Sequence, residues 1–274
     1  GYDTETNNLA IGKAALGGSV DGGEYNIAIG NLSLDALTSG DFNTVVGYNA
    51  GGGLTTGIGN TIIGANAADE TVTGSNNVAI GKNAAEKLTS GTANVAVGED
   101  AARQITQASN NVCLGQGAGE SITTGSDNIF LGTGAGDGFD TETRNIGIGS
   151  AALGGNINGG EENVAIGYQA LDVLTSGDAN VAIGDLAGSA INTGGSNVFI
   201  GNDAGLLCTS AGGVIFIGTR AGDGHDTETN NLGIGKDALG GSVAGGEYNV
   251  CIGNNSLDAL TSGDANTVLG YNAG

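Results

Sequence analysis

The sequence predicts an all-β protein, a parallel β-solenoid of about sixteen 17-residue coils, and three observations support this fold class. The motif Asn-apolar-x-Ile-Gly recurs at fixed spacing, each repeat carries short runs of β-branched residues between Gly and Asn, and the chain has 56 Gly but no Pro. Short β-branched runs with such boundaries are typical of strands. A repeat too short to hold a helix and two turns predicts stacked coils.

The repeat runs through residues 1–274, which we predict to form one continuous solenoid. We number the positions of each coil from its first motif residue, which is Asn in fifteen of sixteen coils. The spacing is 17 residues, except that three coils, which begin at Asn8, Asn145 and Asn231, have 18. The coils begin at Asn8, Asn26, Asn43, Asn60, Asn77, Asn94, Asn111, Asn128, Asn145, Asn163, Asn180, Asn197, Val214, Asn231, Asn249 and Asn266.

Positions within a coil follow separate rules. Position 4 is always Ile, Val or Leu, position 5 is always Gly, position 8 is Ala or Ser, and position 12 is usually Leu or Ile. We expect two short strands and two turns per coil, with Gly at position 5 in a backbone conformation or a corner that excludes a Cβ atom. The Asn side chains at position 1 should stack and hydrogen-bond from coil to coil, as amide ladders do.

A longer period lies above the 17-residue one. Residues 1–51 match residues 224–274 at 42 of 51 positions, and a more diverged copy begins near Gly138. Duplication of whole blocks of coils produces this pattern, so we expect the chain to be part of a longer fibre.

Position 3 carries our prediction of self-association. Period-2 alternation places positions 2 and 4 on one strand face and position 3 on the other, and position 3 is never charged. Strands that are apolar on both faces are covered on both faces. We therefore expect positions 2 and 4 to fill the coil and position 3 to face other copies of the chain. The predicted contact residues are Val45, Ile62, Cys113, Phe130, Phe199, Phe216, Cys251 and Val268.

Charge and composition exclude several classes of function. The net charge of −22 disfavours nucleic acid and anionic lipid as partners. No stretch approaches the roughly 20 apolar residues that span a bilayer, so we expect no membrane insertion. Three cysteines cannot form a closed disulfide framework, and we expect buried apolar thiols, with an interchain bond at a shared axis as the alternative.

The motif Asn-Val-Ala-Ile-Gly followed by Ala, as at 180–187, resembles the head repeats of trimeric autotransporter adhesins. Those repeats are shorter, and the 17-residue coil with Leu174-Thr-Ser-Gly177 is more similar to repeats in phage and large-virus tail fibres. The resemblance covers essentially the whole chain. It implies a parallel homotrimer at a cell surface, in a secreted filament or on a virion, which spaces, displays or attaches, with a cell-surface receptor or glycan as a further partner.

Sites for chemistry are not predicted. Glycine-rich strings such as 132–138 follow the repeat, no Ser–His–acid or paired-carboxylate arrangement stands out, and we expect no enzyme activity, cofactor or metal. Two acidic clusters could supply oxygen ligands for Ca²⁺ but lack a calcium-loop spacing, so we interpret them as solvated turn charge. They are Asp137, Asp140 and Glu142, and Asp223, Asp226 and Glu228. His225 replaces Phe139 of the sister coil and is predicted to pack.

The alternative function is a solenoid that binds ice or glycan. Thr at position 13 could form a surface ladder, although Val20, Val72, Asp140, Ile157, Asp226 and Val243 interrupt it. The ladder residues are Thr38, Thr55, Thr89, Thr106, Thr123, Thr175, Thr209 and Thr261. Tyr48, Tyr168 and Tyr271 at position 6 could stack on sugars.

Overall fold

The computed structural model describes residues 7–155, 158–241 and 245–274. It divides into two compact units, unit 1 at Gly1–Thr141 and unit 2 at Glu142–Gly274. The described residues are all-β, with one three-residue strand per coil. Unit 1 holds β1 (Leu9–Ile11), β2 (Ile27–Ile29), β3 (Thr44–Val46), β4 (Thr61–Ile63), β5 (Val78–Ile80), β6 (Val95–Val97), β7 (Val112–Leu114) and β8 (Ile129–Leu131). Unit 2 holds β9 (Ile146–Ile148), β10 (Val164–Ile166), β11 (Val181–Ile183), β12 (Val198–Ile200), β13 (Ile215–Ile217), β14 (Leu232–Ile234), β15 (Val250–Ile252) and β16 (Thr267–Leu269).

Strands within each unit pair in parallel and in chain order. The register joins equal positions of successive coils, for example Val78 with Val95 and Ile80 with Val97. Each strand begins directly after a predicted coil start. The predicted parallel β-solenoid with coils of about 17 residues is therefore confirmed, while its continuity over residues 1–274 stays a prediction.

The expectation of two strands per coil is wrong. The rest of each coil consists of turns, because positions 7, 9 and 17 adopt left-handed backbone angles in which no strand can continue. In the coil that begins at Asn163, for example, Gln169 has φ 51°, Leu171 has φ 53° and Ala179 has φ 55°. A non-Gly residue in this region costs about 1 kcal/mol, so the stacked coils must impose it.

The Gly at position 5 has both a backbone conformation that favours glycine and no room for a Cβ atom, the two reasons predicted for it. Gly98 has φ 139°, and a Cβ atom there would lie 2.4 Å from the carbonyl oxygen of Gly115 in the next coil. Gly30 has the same relation to Gly47, at 2.1 Å. A side chain at position 5 would therefore separate successive coils immediately after the strand.

The Asn side chains at position 1 form the predicted ladder, and they also close each coil. Asn43 donates its backbone N–H and its Nδ2 to Oδ1 of Asn26, both at 3.0 Å. The same Nδ2 donates at 2.9 Å to the carbonyl of Gly57, at the far end of its own coil. The amides are buried, which makes each hydrogen bond costly to lose. We call this arrangement the Asn clamp.

The strand faces are the reverse of the prediction. Position 3 points into the coil, and positions 2 and 4 point outward. The residues predicted to contact other copies are therefore interior: Val45, Ile62, Cys113, Phe130, Phe199, Phe216 and Cys251 are at most 1% exposed, and only Val268, in the last strand, is half-buried. The interior is completed by positions 8, 9 and 12, such as Ala170, Leu171 and Leu174.

The side chains at positions 3 and 9 share one interior volume, and their sizes compensate. Phe199 at position 3 packs on Gly205 at position 9, where a Cβ atom would lie 2.3 Å from the ring. In the coil that begins at Asn163 the sizes are exchanged, with Ala165 at position 3 and Leu171 at position 9. Close packing of this kind leaves no room for two large residues in one coil.

This compensation predicts the effect of a paired substitution. Phe199→Ala should cost about 3 to 5 kcal/mol of unfolding free energy because it opens a cavity. Gly205→Leu alone should also destabilise, because it crowds the ring. The double variant should recover at least half of the Phe199→Ala loss in denaturant unfolding. Losses that simply add would show that the two positions do not share a volume.

Val214 provides a test of the Asn clamp. Its backbone N–H still donates to Oδ1 of Asn197 at 3.0 Å, but its side chain offers no acceptor to Asn231 in the next coil. Val214→Asn should therefore stabilise the chain by about 1 kcal/mol in denaturant unfolding. Asn180→Val, the converse change, should destabilise by about 3 kcal/mol because buried partners lose their hydrogen bonds. A destabilised Val214→Asn variant would contradict the clamp.

Candidate interaction surface

The outward side chains of positions 2 and 4 form a continuous apolar surface on each unit, which we call the strand face. In the sixteen strands these positions hold 29 Val, Ile or Leu and three Thr, with no charged residue. Their exposure is substantial: 36% for Ile63, 39% for Ile215 and 46% for Leu9. Within a unit, neighbouring strands lie about 4.8 Å apart, so identical side-chain types recur along the face at that spacing.

The aromatic residues exposed to solvent lie along the two borders of the strand face. Among the described residues they occupy either the last position of a coil, which is 17 or, in the 18-residue coils, 18, or position 6, just after the invariant Gly. At the last positions of their coils, Tyr25 and Phe42 stack with centroids 5.1 Å apart and planes 3° from parallel. Tyr48, Tyr168 and Tyr271 are exposed at position 6, as predicted.

Charge surrounds the strand face without entering it. Lysine and arginine side chains join acids of neighbouring coils, as in Lys82–Glu99 at 3.0 Å and Arg103–Glu86 at 2.8 Å. Exposed pairs of this kind contribute little stability. Because acids outnumber bases 29 to 7, the surface outside the strand face is predominantly negative.

The threonines of position 13 hydrogen-bond between coils. The hydroxyls of Thr38, Thr89 and Thr106 donate to backbone carbonyls of the following coil at 2.9 to 3.0 Å. Val20 and Val72, which interrupt the series, are buried instead. Ile157 and Val243 lie outside the described residues. These hydroxyls give their protons to the fold and keep their oxygen lone pairs for water, so ice binding through this ladder stays a prediction.

The acidic clusters contain two buried carboxylates, which corrects the interpretation of solvated turn charge. Glu228 is 5% exposed and accepts hydrogen bonds from the backbone N–H groups of Asp226 at 2.9 Å and Gly245 at 3.0 Å. Burial alone would raise the pKa of Glu228, but these donors hold it below its ordinary value. Glu142 is 3% exposed and accepts from Gly159 at 2.9 Å.

Asp140 and Asp226 accept hydrogen bonds from the hydroxyls of Thr123 and Thr209. Asp137 and Asp223 are the remaining members of the two acidic clusters defined from the sequence. Within the described ranges no three His, Cys, Asp or Glu side chains converge on a position that could hold a metal ion.

The three cysteines lie inside their coils, as predicted. Burial raises the pKa of the Cys113 thiol to about 12, and it raises the pKa of Cys208 and Cys251 as well. Cys251 also donates to the carbonyl of Ser256. An interchain disulfide, the alternative drawn from the sequence, is wrong because the thiols do not reach the surface.

His225 is a packing residue, as predicted. Its ring is fully buried and stands edge-on to Phe216, with centroids 4.9 Å apart. Neither ring nitrogen has a hydrogen-bond partner in the described structure. Burial lowers the pKa of His225 to about 4, against the opposing effect of the nearby Glu228 carboxylate.

No helix among the described residues is long and apolar enough to cross a membrane. Comparison with protein-family models, curated proteins and solved structures finds no match to the chain. The resemblance to adhesin and tail-fibre repeats therefore rests on the motif residues and stays a prediction.

Sequence reasoning placed the candidate surface on position 3 and missed positions 2 and 4. The signal that could have corrected it is the size compensation between positions 3 and 9. Residues that vary from Gly to Phe in step with a partner share a packed interior, whereas positions 2 and 4 vary only among Val, Ile, Leu and Thr, without compensation.

The buried histidine predicts a pH dependence. The unfolded chain binds a proton on His225 near its ordinary pKa of 6.5, whereas the folded chain binds it only near 4. Its contribution to stability is therefore complete above pH 6.5 and falls as the pH drops towards 4. Between about pH 7 and pH 5 the wild type should lose about 2 kcal/mol of unfolding free energy from this group.

His225→Phe is the matched control, because Phe139 occupies the equivalent position of the sister coil. It should remove this loss in denaturant unfolding at the two pH values. The buried carboxylate of Glu228 remains in both proteins. Equal pH dependence in wild type and variant would show that His225 does not titrate as a buried group.

Proposed function

We propose that the chain is a non-enzymatic structural or adhesive fibre protein, outside the cell or on a virion, whose copies associate through the strand face. The observation that carries the proposal is the strand face itself: on both units, every strand turns two uncharged and mostly apolar side chains outward. Monomeric soluble proteins rarely expose contiguous apolar patches above a few hundred Å².

The size of the strand face fits a protein interface. Eight strands about 4.8 Å apart, with three residues of about 3.3 Å each, give a footprint of about 400 Å² per unit. Each unit therefore presents about half of what one partner contributes to a stable complex of standard size. Covering this area removes from water the side chains that the coil cannot cover itself.

A second copy of the chain is the partner that fits best, for two reasons. Its strand face repeats with the same spacing of about 4.8 Å along each unit, which an irregular globular surface cannot match. The chain also carries a net charge of −22, so two copies repel each other at their acidic surfaces and can approach closely only where charge is absent.

Three parallel copies are the assembly that the resemblance to adhesin repeats implies. The strand face occupies one side of each coil, so a closed ring of copies turns every strand face towards a shared axis and leaves the acidic surfaces outside. Cyclic symmetry of this kind terminates growth sideways. Repetition along the chain then supplies reach and repeated contacts for display or attachment.

Charge placed on the strand face tests the proposal. Val78→Glu combined with Val95→Glu should lower the assembled mass in analytical ultracentrifugation, because each interface would bury carboxylates without partners. The circular dichroism of β structure should persist, since both side chains point away from the interior.

The matched control adds the same charge to the same coils at exposed sites away from the strand face, through Ser90→Glu with Gln107→Glu. It should assemble as the wild type does. Val78→Lys with Val95→Lys should dissociate the chain as the glutamates do, which separates burial of charge from added negative charge. A monomeric wild type, or normal assembly of both strand-face variants, would overturn the proposal.

A further inference from the structure

We propose that the copies lie parallel and in coil register, so that equal coils of neighbouring copies stand at the same height and Tyr48 of one copy packs beside Phe42 of the next. This inference rests on the proposed function with its parallel copies, and it adds the register between them and the side chains that meet. Two features of unit 1 support the register: where the polar residues of its strand face lie, and where the exposed aromatic residues along the borders of that face lie.

Thr44 and Thr61 are the polar members of the strand face in unit 1, and they lie in the consecutive strands β3 and β4. Parallel copies in register gather all of these hydroxyls into one layer, where they can hydrogen-bond to each other or to shared water. An antiparallel arrangement in which unit 1 of one copy faces unit 1 of the next places β3 and β4 level with β6 and β5, so that the hydroxyls meet Val95 and Val78.

A shift of one coil also separates part of the threonines, because Thr61 then stands level with Val78. A hydroxyl buried without a partner costs about 1 to 3 kcal/mol. Two adjacent threonines repeated in each copy therefore favour one register, as a single polar residue does in the apolar seam of a coiled coil.

The borders of the strand face give an independent indication. Phe42, at position 17 of one coil, and Tyr48, at position 6 of the next, flank β3, which among the described residues is the one strand of unit 1 with an exposed aromatic residue on both sides. They are 60% and 58% exposed.

Parallel copies related by rotation about the solenoid axis bring the position-17 border of one copy to the position-6 border of the next. Phe42 then meets Tyr48 at the same height, and both rings lose exposed area. Antiparallel copies bring like borders together, which places Phe42 opposite Ala93 and Tyr48 opposite Glu99. Ring-on-ring contact is worth about 0.5 to 1.5 kcal/mol beyond burial, and an acid opposite Tyr48 supplies no such contact.

Site-specific cross-linking distinguishes these arrangements. Two differently tagged full-length chains, one with Phe42→Cys and one with Tyr48→Cys, are co-refolded and treated with a short bismaleimide. The native thiols are buried with raised pKa and should not react. We expect a cross-linked pair that contains both tags, and at least tenfold less product from either variant alone.

A chain that carries both substitutions should cross-link to every neighbour in the ring. The largest cross-linked product should then contain as many chains as the assembly, which we expect to be three. Ser90→Cys, exposed on the same unit but away from the strand face, is the control for random collision. Thr44→Val with Thr61→Val in both tagged chains should lower the yield of the mixed product, because the register then loses its polar layer.

The outcomes separate this inference from the proposed function. Cross-linking of Phe42→Cys with Ala93→Cys, the pair that antiparallel copies bring together, or a lack of mixed product in chains that sediment as oligomers, overturns the parallel register and leaves self-association standing. Chains that sediment as monomers before cross-linking overturn both.

Discussion

The structure depends on one side-chain amide per coil. A typical Asn at position 1 accepts from the following coil through Oδ1, and its Nδ2 donates both to the preceding Asn and to the carbonyl near the end of its own coil, as Asn94 does with Asn77 and Ala108. The turns of each coil add backbone hydrogen bonds between coils, as Thr89 does by donating to the carbonyl of Thr106 at 2.9 Å. The buried amide is the side-chain group that joins the start of a coil both to the preceding coil and to the end of its own, and it thereby sets the diameter of the coil.

Once the clamp and the Gly of position 5 fix the strand between them, the two strand faces acquire different constraints. Inward residues must fill a small volume jointly, so a large Phe130 requires the small Gly136. Outward residues are uncharged and mostly β-branched. Strand formation favours the β-branching, but neither the folding nor the solubility of a single chain requires that charge be absent. The absence of charge at these outward positions favours a partner surface whose strands repeat at the same spacing.

The sequence contained enough information for the period, the parallel stacking, the Asn ladder and the role of Gly98 and its equivalents, since each follows from spacing and residue type. Alternation alone could not decide which strand face is inside. It separates the two faces of a strand, but both faces are apolar here, so it does not tell which one is buried. The count of strands failed for a different reason. Ala179 and Leu171 carry no mark of a left-handed backbone, which their neighbours impose through stacking. The buried carboxylate of Glu228 was likewise invisible, because its donors are backbone groups.

The left-handed residues have a consequence for how such a chain can form. Leu153, Leu171 and Ala179 pay a conformational penalty that no contact within one isolated coil offsets. A coil therefore becomes favourable only on top of a finished one, which supplies the carbonyls and amides that hold these angles. Folding should proceed by templated addition from a rare nucleus, in the manner of crystal growth, and a ring of aligned copies would present the next coil of every chain with its template at once.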